Sequence, residues 1–165
     1  MPLTPLHWGA LAFGLLLPAV FYLPALALSS VAGDAEGLWG LLTGQPLHAF
    51  LHTYLGAGIM ALAIAAALVL ARRPVDRFMR RLGFAQEKTG NRGIVGTSLF
   101  AAWLHVFSDS FLYADMTPLA PFSQANPMLG MAPGAPIAEV YAAGIVGSIV
   151  LVFFQLWRNS WKSGL

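Results

Sequence analysis

Residues 103–127 read WLHVFSDSFLYADMTPLAPFSQANP, and the first half of this stretch sets His105 and Asp109 inside a run otherwise suited to hydrocarbon. The two are four residues apart, which puts them on one face of a helix. Asp115 follows six residues after Asp109, just ahead of Pro118 and Pro121. A carboxylate inside an apolar span is costly, so such residues turn toward a partner or a cavity. What His105 and Asp109 face is therefore the central question about this chain.

The surrounding composition explains why that run is read as membrane-spanning. Of 165 residues, 58% are hydrophobic and 10% charged, with a mean hydropathy of +0.69. A soluble domain carries about a quarter charged residues. The expectation is one integral membrane domain covering 1–165. There is no cysteine, which excludes disulfides, thiolate metal sites and thiol nucleophiles. The N-terminus lacks the basic start of a cleaved signal peptide, so the first apolar segment is expected to be retained. Net charge is +2 and the isoelectric point about 9.3. The basic residues are few and flank apolar blocks, so no nucleic-acid partner is expected.

Four apolar blocks stand out, at about 6–32, 48–71, 94–113 and 137–157. The last three are long enough to cross a bilayer, which takes about 20 residues. The fold class expected is an all-α, polytopic membrane helical bundle. Pro46 and Pro136 suit the first turns of helices, and Asn91 suits an N-cap. Pro18 and Pro24 interrupt the first block, so it reads either as one tilted span or as two short helices, about 5–17 and 24–33, forming a re-entrant pair. A single span puts His7 on the inner side, and a hairpin returns it to the outer side.

Seven of the nine basic residues lie between 72 and 92: Arg72, Arg73, Arg77, Arg80, Arg81, Lys88 and Arg92. Arg158 and Lys162 follow the fourth block, while 33–47 and 114–136 contain no Lys or Arg. By the positive-inside rule, the 72–92 loop and the C-terminus are cytoplasmic in the cell (inner) membrane. Asp34, Glu36 and Asp115 then lie in outer loops.

His48 and His52, in PLHAFLHTYLG, are also four apart and are expected to share a helix face. At a rise of about 1.5 Å per residue, His52 lies roughly 9 Å below a helix start at Pro46, and His105 roughly 12 Å below a helix end at Tyr113. Two helices thus offer His/His and His/Asp pairs at one depth. Taken singly, each has a plainer reading. A membrane histidine often serves as an interhelical hydrogen-bond partner. Gly56, Gly58, Gly144 and Gly147 suit close helix approach, Glu139 suits a helix first turn more than a site role, and Tyr54 and Tyr113 suit interfacial anchors more than donors to a substrate. Ser108 and Ser110 lack a nucleophilic triad. The coincidence of both pairs points to a metal site. Imidazole and carboxylate without sulfur suit zinc best, with manganese or iron as alternatives.

The segments TPLHWG, SSVAGDAEG, LHAFLHTYLGA and LHVFSDSFLYADMTPLAPFS resemble the inner-membrane-bound metal-dependent hydrolase family, over most of residues 3–130. The family pattern falls here on His7, on Asp34 with Glu36, on His48 with His52, on His105 with Asp109, and on Asp115. Better-known members carry PDxDH and HRGxTHS, where this chain has GDAEG and HAFLHTY, without the additional His and Arg. The resemblance implies that His7 and Asp34 join the ligands, and it favours the helical pair, because a single span would leave His7 a membrane thickness away.

The reading that follows is a hydrolase with its metal site at the outer leaflet. His48, His52, His105 and Asp109 are the core ligands, with His7 and Asp34 further ligands. Asp115 or Glu36 serves as general base or orients the ligands, and membrane lipids are both surroundings and a source of substrate, such as a lipid phosphoester. Two other classes use similar residues: a haem-binding electron carrier, with histidines on facing helices, and a metal or proton transport subunit.

Overall fold

A computed structural model describes residue 17 and residues 20–84, 89–131, 146–147, 149–150, 152–154 and 157. Among these the chain is all-helical, with no strand. Five helices have defined bounds: α1 Leu23–Val31, α2 Asp34–Thr43, α3 Tyr54–Leu70, α4 Arg72–Arg81 and α5 Asn91–Ser110. In the fourth apolar block, residues 146–147, 149–150, 152–154 and 157 are helical. His7, and the first arm expected at 5–17 apart from its last residue, Leu17, lie outside the described residues.

Helix α1 is the second arm expected from Pro24. Tyr22 is extended at its N-cap, and Pro24 sits in the first turn, where its missing N–H costs nothing. Helix α2 occupies what the sequence suggested was a loop. Asp34 and Glu36 stand in its first turn, favourable for the helix dipole, and Gly44 closes it at a φ of 73°.

The second apolar block differs from expectation. No helix starts at Pro46: residues 45–46 are irregular and residues 47–53 are bends and turns. The cause is tertiary. The Glu36 carboxylate accepts hydrogen bonds from the backbone of Ala49 (3.0 Å) and Leu51 (3.0 and 3.1 Å), which a helix would direct elsewhere. Thr53 then turns extended, and its Oγ1 accepts from Gly56 N at 2.9 Å to cap α3. Gly56 is obligatory there, because a Cβ would meet the Phe50 carbonyl oxygen at 1.9 Å. Its role is thus to pass a loop rather than a helix.

The basic loop is partly helical too. Helix α4 leaves α3 at Ala71 with a bend of 79°. Arg72 ties this corner by donating to Asp76 Oδ2 (3.3 Å), Asn91 Oδ1 (3.0 Å) and the Thr89 carbonyl, and Tyr22 donates to Asp76 Oδ1 (2.8 Å). Asn91 is therefore the first residue of α5 rather than its cap; extended Gly90 takes that place.

Helix α5 packs against α1 and α3, which also touch each other. Tyr22, Ala25, Ala65, Leu68 and Ile94 fill the core at the α4 end. Leu26 meets Ala101 midway, and Ala57, Ala61, Ala102, Val106 and Met116 fill the far end. The alanines on α3 and α5 let the backbones approach closely. Helices α1 and α5 run in the same direction. The backbone N–H of Tyr22 donates to Thr97 Oγ1 (3.2 Å), and His105 Nδ1 meets the Ser30 carbonyl (2.7 Å), each across 75 residues of sequence. Helix α3 runs against both, since its end meets the start of α5.

Among the described residues no single helix is long and apolar enough to cross a membrane; α3 and α4 pass that test only as a bent pair. Helix α3 has 17 residues and no charged side chain. Leu55, Ile59, Leu62 and Leu70 on it are exposed, as are Leu38, Trp39, Leu41 and Leu42 on α2 and Trp103 and Phe107 on α5.

Candidate metal centre

The polar groups gather where α1 ends, α2 begins, the 45–53 segment crosses, and α5 finishes. Ser30 lies in the last turn of α1, where carbonyls lack intrahelical partners. Its carbonyl faces His105 Nδ1 on α5. A carbonyl only accepts, so His105 Nδ1 carries the proton and, in the neutral ring, Nε2 carries the lone pair. Nε2 lies 3.5 Å from Asp109 Oδ2, one turn further along α5, and both residues are buried. Two electron-rich atoms facing each other favour a cation between or beside them.

The other two imidazoles are oriented in the same way. His52, buried, meets Glu36 Oε2 through Nδ1 at 2.9 Å. His48 meets Asp115 Oδ2 through Nδ1 at 2.8 Å. The His48 ring lies against Tyr113 with centroids 4.4 Å apart, and edge-on to His52 at 4.7 Å. His52 in turn lies 5.2 Å from the His105 ring. In each ring an oxygen holds Nδ1, which makes Nε2 the nitrogen a metal would take, the outer support typical of metal-binding histidines.

Two groups of donors converge. Asp34, His52 and His105 form one, and His48, His52 and Asp109 the other, with the donor atoms of each group within 4.8 Å of one another. Separations of that size close onto a common ion, with bonds of about 2.0–2.2 Å, by adjustments of well under an ångström per ligand. The floor is equally suited. A Cβ on Gly33 would stand 3.1 Å from His105 Nε2, so the absent side chain leaves the room a ligated ion needs. The donor set, imidazole and carboxylate without sulfur, fits a divalent cation of zinc, manganese or iron type.

Five of the six expected ligands are thus together: Asp34, His48, His52, His105 and Asp109. The sixth, His7, lies outside the described residues. The grouping does not arise from the expected helix face, because His48 and His52 lie in a non-helical segment. The depth estimate from a helix starting at Pro46 falls with it; His52 instead sits just ahead of α3. Glu36 and Asp115 stand one step outward, each on an imidazole Nδ1.

Burial by itself would raise the Glu36 carboxyl, but the hydrogen bonds from His52, Leu51 and Ala49 outweigh it and hold its pKa below the ordinary glutamate value. Asp115 is likewise held low: its slight burial raises it, and the hydrogen bond and charge of His48 more than offset this. Three contributors escaped the sequence reading. Ser30 acts through its backbone, which leaves no side-chain signal. Gly33 acts by having no side chain, and its place before Asp34 was the one available clue. Tyr113, read as an interfacial anchor, backs His48.

Comparison with protein-family models, curated proteins and solved structures finds no match to this chain.

Proposed function

We propose that this chain is an integral membrane hydrolase, dependent on a divalent metal held by Asp34, His48, His52, His105 and Asp109, with His7 completing the set. The observation that carries this reading is the common arrangement of three imidazoles: each is held through Nδ1 by an oxygen, and their donors converge with two carboxylates in two groups sharing His52. Zinc, the best match to these donors, would be held by the three imidazoles and two carboxylates and would supply water activation near neutral pH and polarisation of the scissile group.

The remaining roles follow from the hydrogen bonds. Glu36 already accepts from His52 and from two backbone N–H groups, so it positions His52 and the 45–53 segment. Asp115 is 57% exposed and holds one imidazole, which leaves carboxylate surface open at the rim; it is the general base. A haem would need a flat apolar slot between facing histidines, whereas here carboxylates stand among the rings.

The uncharged α3, its exposed leucines and isoleucine, and the concentration of basic residues in 72–92 support a bilayer around this bundle, with the site toward the outer face. An amphiphilic substrate is supported by a groove of about 220 Å³ lined by Tyr54, Leu55, Pro118, Leu119, Ala120, Phe122 and Ser123. Its walls begin two residues after His52 and three after Asp115. Segments 33–47 and 114–136 offer no Lys or Arg, so a phosphoester's charge falls to the metal.

The test is metal analysis, a visible spectrum and a lipid phosphoester hydrolysis screen on detergent-purified protein. Stoichiometric zinc is expected, with activity removed by chelation and restored by zinc, and both lost in His105→Ala and Asp109→Asn. A Soret band, or full metal retained by Asp109→Asn, would sink the proposal.

A further inference from the structure

We infer that α4 is a docking surface for anionic lipid headgroups, at the end of the bundle opposite the candidate metal centre. This rests on the bilayer reading above but not on the hydrolytic one. At about 100° per residue, Pro74, Val75, Phe78 and Met79 fall on one side of α4, and Arg73, Arg77, Arg80 and Arg81 on the other. Among the described residues the apolar side packs inward through Val75, against the Tyr22–Ile94 cluster. No residue of α4 is buried, and Phe78 is 58% exposed. The helix therefore presents an apolar strip and an arginine strip to its surroundings together.

Its orientation is set by the bundle. The 79° bend lays α4 almost perpendicular to α3. If α3 follows the bilayer normal, α4 lies along the surface, the attitude of an interfacial amphipathic helix. The corner is fastened by Arg72 to Asp76, Asn91 and Thr89, and by Tyr22 to Asp76, so the helix is presented in one pose. Asp76, the one acidic residue of α4, is engaged by Arg72 and Tyr22, while Arg73, Arg77 and Arg81 are exposed on the side of the helix opposite the apolar strip. Guanidinium groups pair with phosphate oxygens in a forked geometry. Phosphate of an anionic headgroup is the chemistry that meets the arginines while Phe78 and Met79 enter the acyl boundary. Each basic residue near an anionic leaflet contributes about fivefold in binding.

The chain has no cysteine, so Phe78→Cys gives a single attachment point for an environment-sensitive fluorophore. The labelled full chain is reconstituted in nanodiscs of phosphatidylcholine, alone or with phosphatidylglycerol. The expected result is a blue shift in the anionic discs that falls with added salt. It should vanish in a variant carrying R73Q, R77Q, R80Q and R81Q, whose metal content is unchanged because the donors lie at the other end. Identical emission in both disc types, with the protein incorporated in each, would overturn the docking proposal and leave the bilayer reading standing. Failure to enter discs of either composition would overturn both. An arginine-dependent shift produced by RNA in zwitterionic discs, with none from phosphatidylglycerol, would replace lipid by nucleic acid as the partner.

Discussion

At the scale of the residue, the site depends on atoms that carry no metal-binding chemistry of their own. Gly33 is one. It is helical at a φ of −59°, a conformation alanine adopts freely, so Gly33→Ala is a test of space alone. Metal affinity should fall at least tenfold, the scale of disturbed outer support, while far-ultraviolet circular dichroism stays the same. Gly96→Ala is the control: it is exposed on α5 with nothing within 4 Å of its Cβ, and should leave metal binding alone and stabilise by up to about 1 kcal/mol. Glu36 supplies a second test. Its pKa is lower in the folded protein than in the unfolded chain, so its stabilisation is complete above about pH 4.3, the unfolded value, and is lost as pH falls through the folded value. The thermal midpoint of the chelated protein should therefore fall on acidification below about pH 4. In Glu36→Gln that fall should be shallower, from a lower starting stability. An equally steep fall would place the acid sensitivity elsewhere.

At the scale of the element, the limits of α3 and α5 decide which side chains reach the site. Thr53 caps α3 and Gly56 lets Phe50 cross over its first turn. Gly56→Ala must displace that segment, and with it His52. A loss of about 2–3 kcal/mol in stability, the upper range for overpacking, should accompany a drop in metal affinity, read by thermal unfolding and metal titration on one preparation. Much of this architecture was legible. Apolar runs marked α3 and α5, and Pro24 marked the start of α1. The acid pair and Gly44 were cap signals for α2 that a loop reading passed over. The start of α3 was not legible, because the competitor for its backbone N–H groups is Glu36, 13 and 15 residues away from the groups it binds. The spacing of His48 and His52 fits a helix and also fits the bend that forms, so the donors could be named while their geometry could not. His105 and Asp109 were readable in both respects, since α5 is regular where they sit.

At the scale of the whole molecule, the two ends of the bundle carry different chemistry: arginines around Asp76 at one, imidazoles and carboxylates at the other. The donors come from α2, the 45–53 segment and α5, so an ion would bind the folded arrangement far better than the unfolded chain. An ion at about a thousand times its Kd adds about 4 kcal/mol, which corresponds to about 10 °C in a chain of this size. Chelation should lower the thermal midpoint by that order, and Asp109→Asn should show almost no response to chelator. Orientation is checked separately: a reporter after Arg81 should read cytoplasmic, and one near Ala120 external. The parallel pairing of α1 and α5 holds the two ends at a set distance. Tyr22 with Thr97, Leu26 with Ala101, and Ser30 with His105 share one offset of 75. The first and last of these pairs lie eight residues apart on each helix, about 12 Å. One residue inserted into α1 between them would rotate Ser30 by about 100° away from His105, unless α5 gained a residue over the same interval. Descendants of this chain can therefore change the length of these two helices only in step, and a lone insertion in either should be compensated in the other before the imidazole regains its anchor.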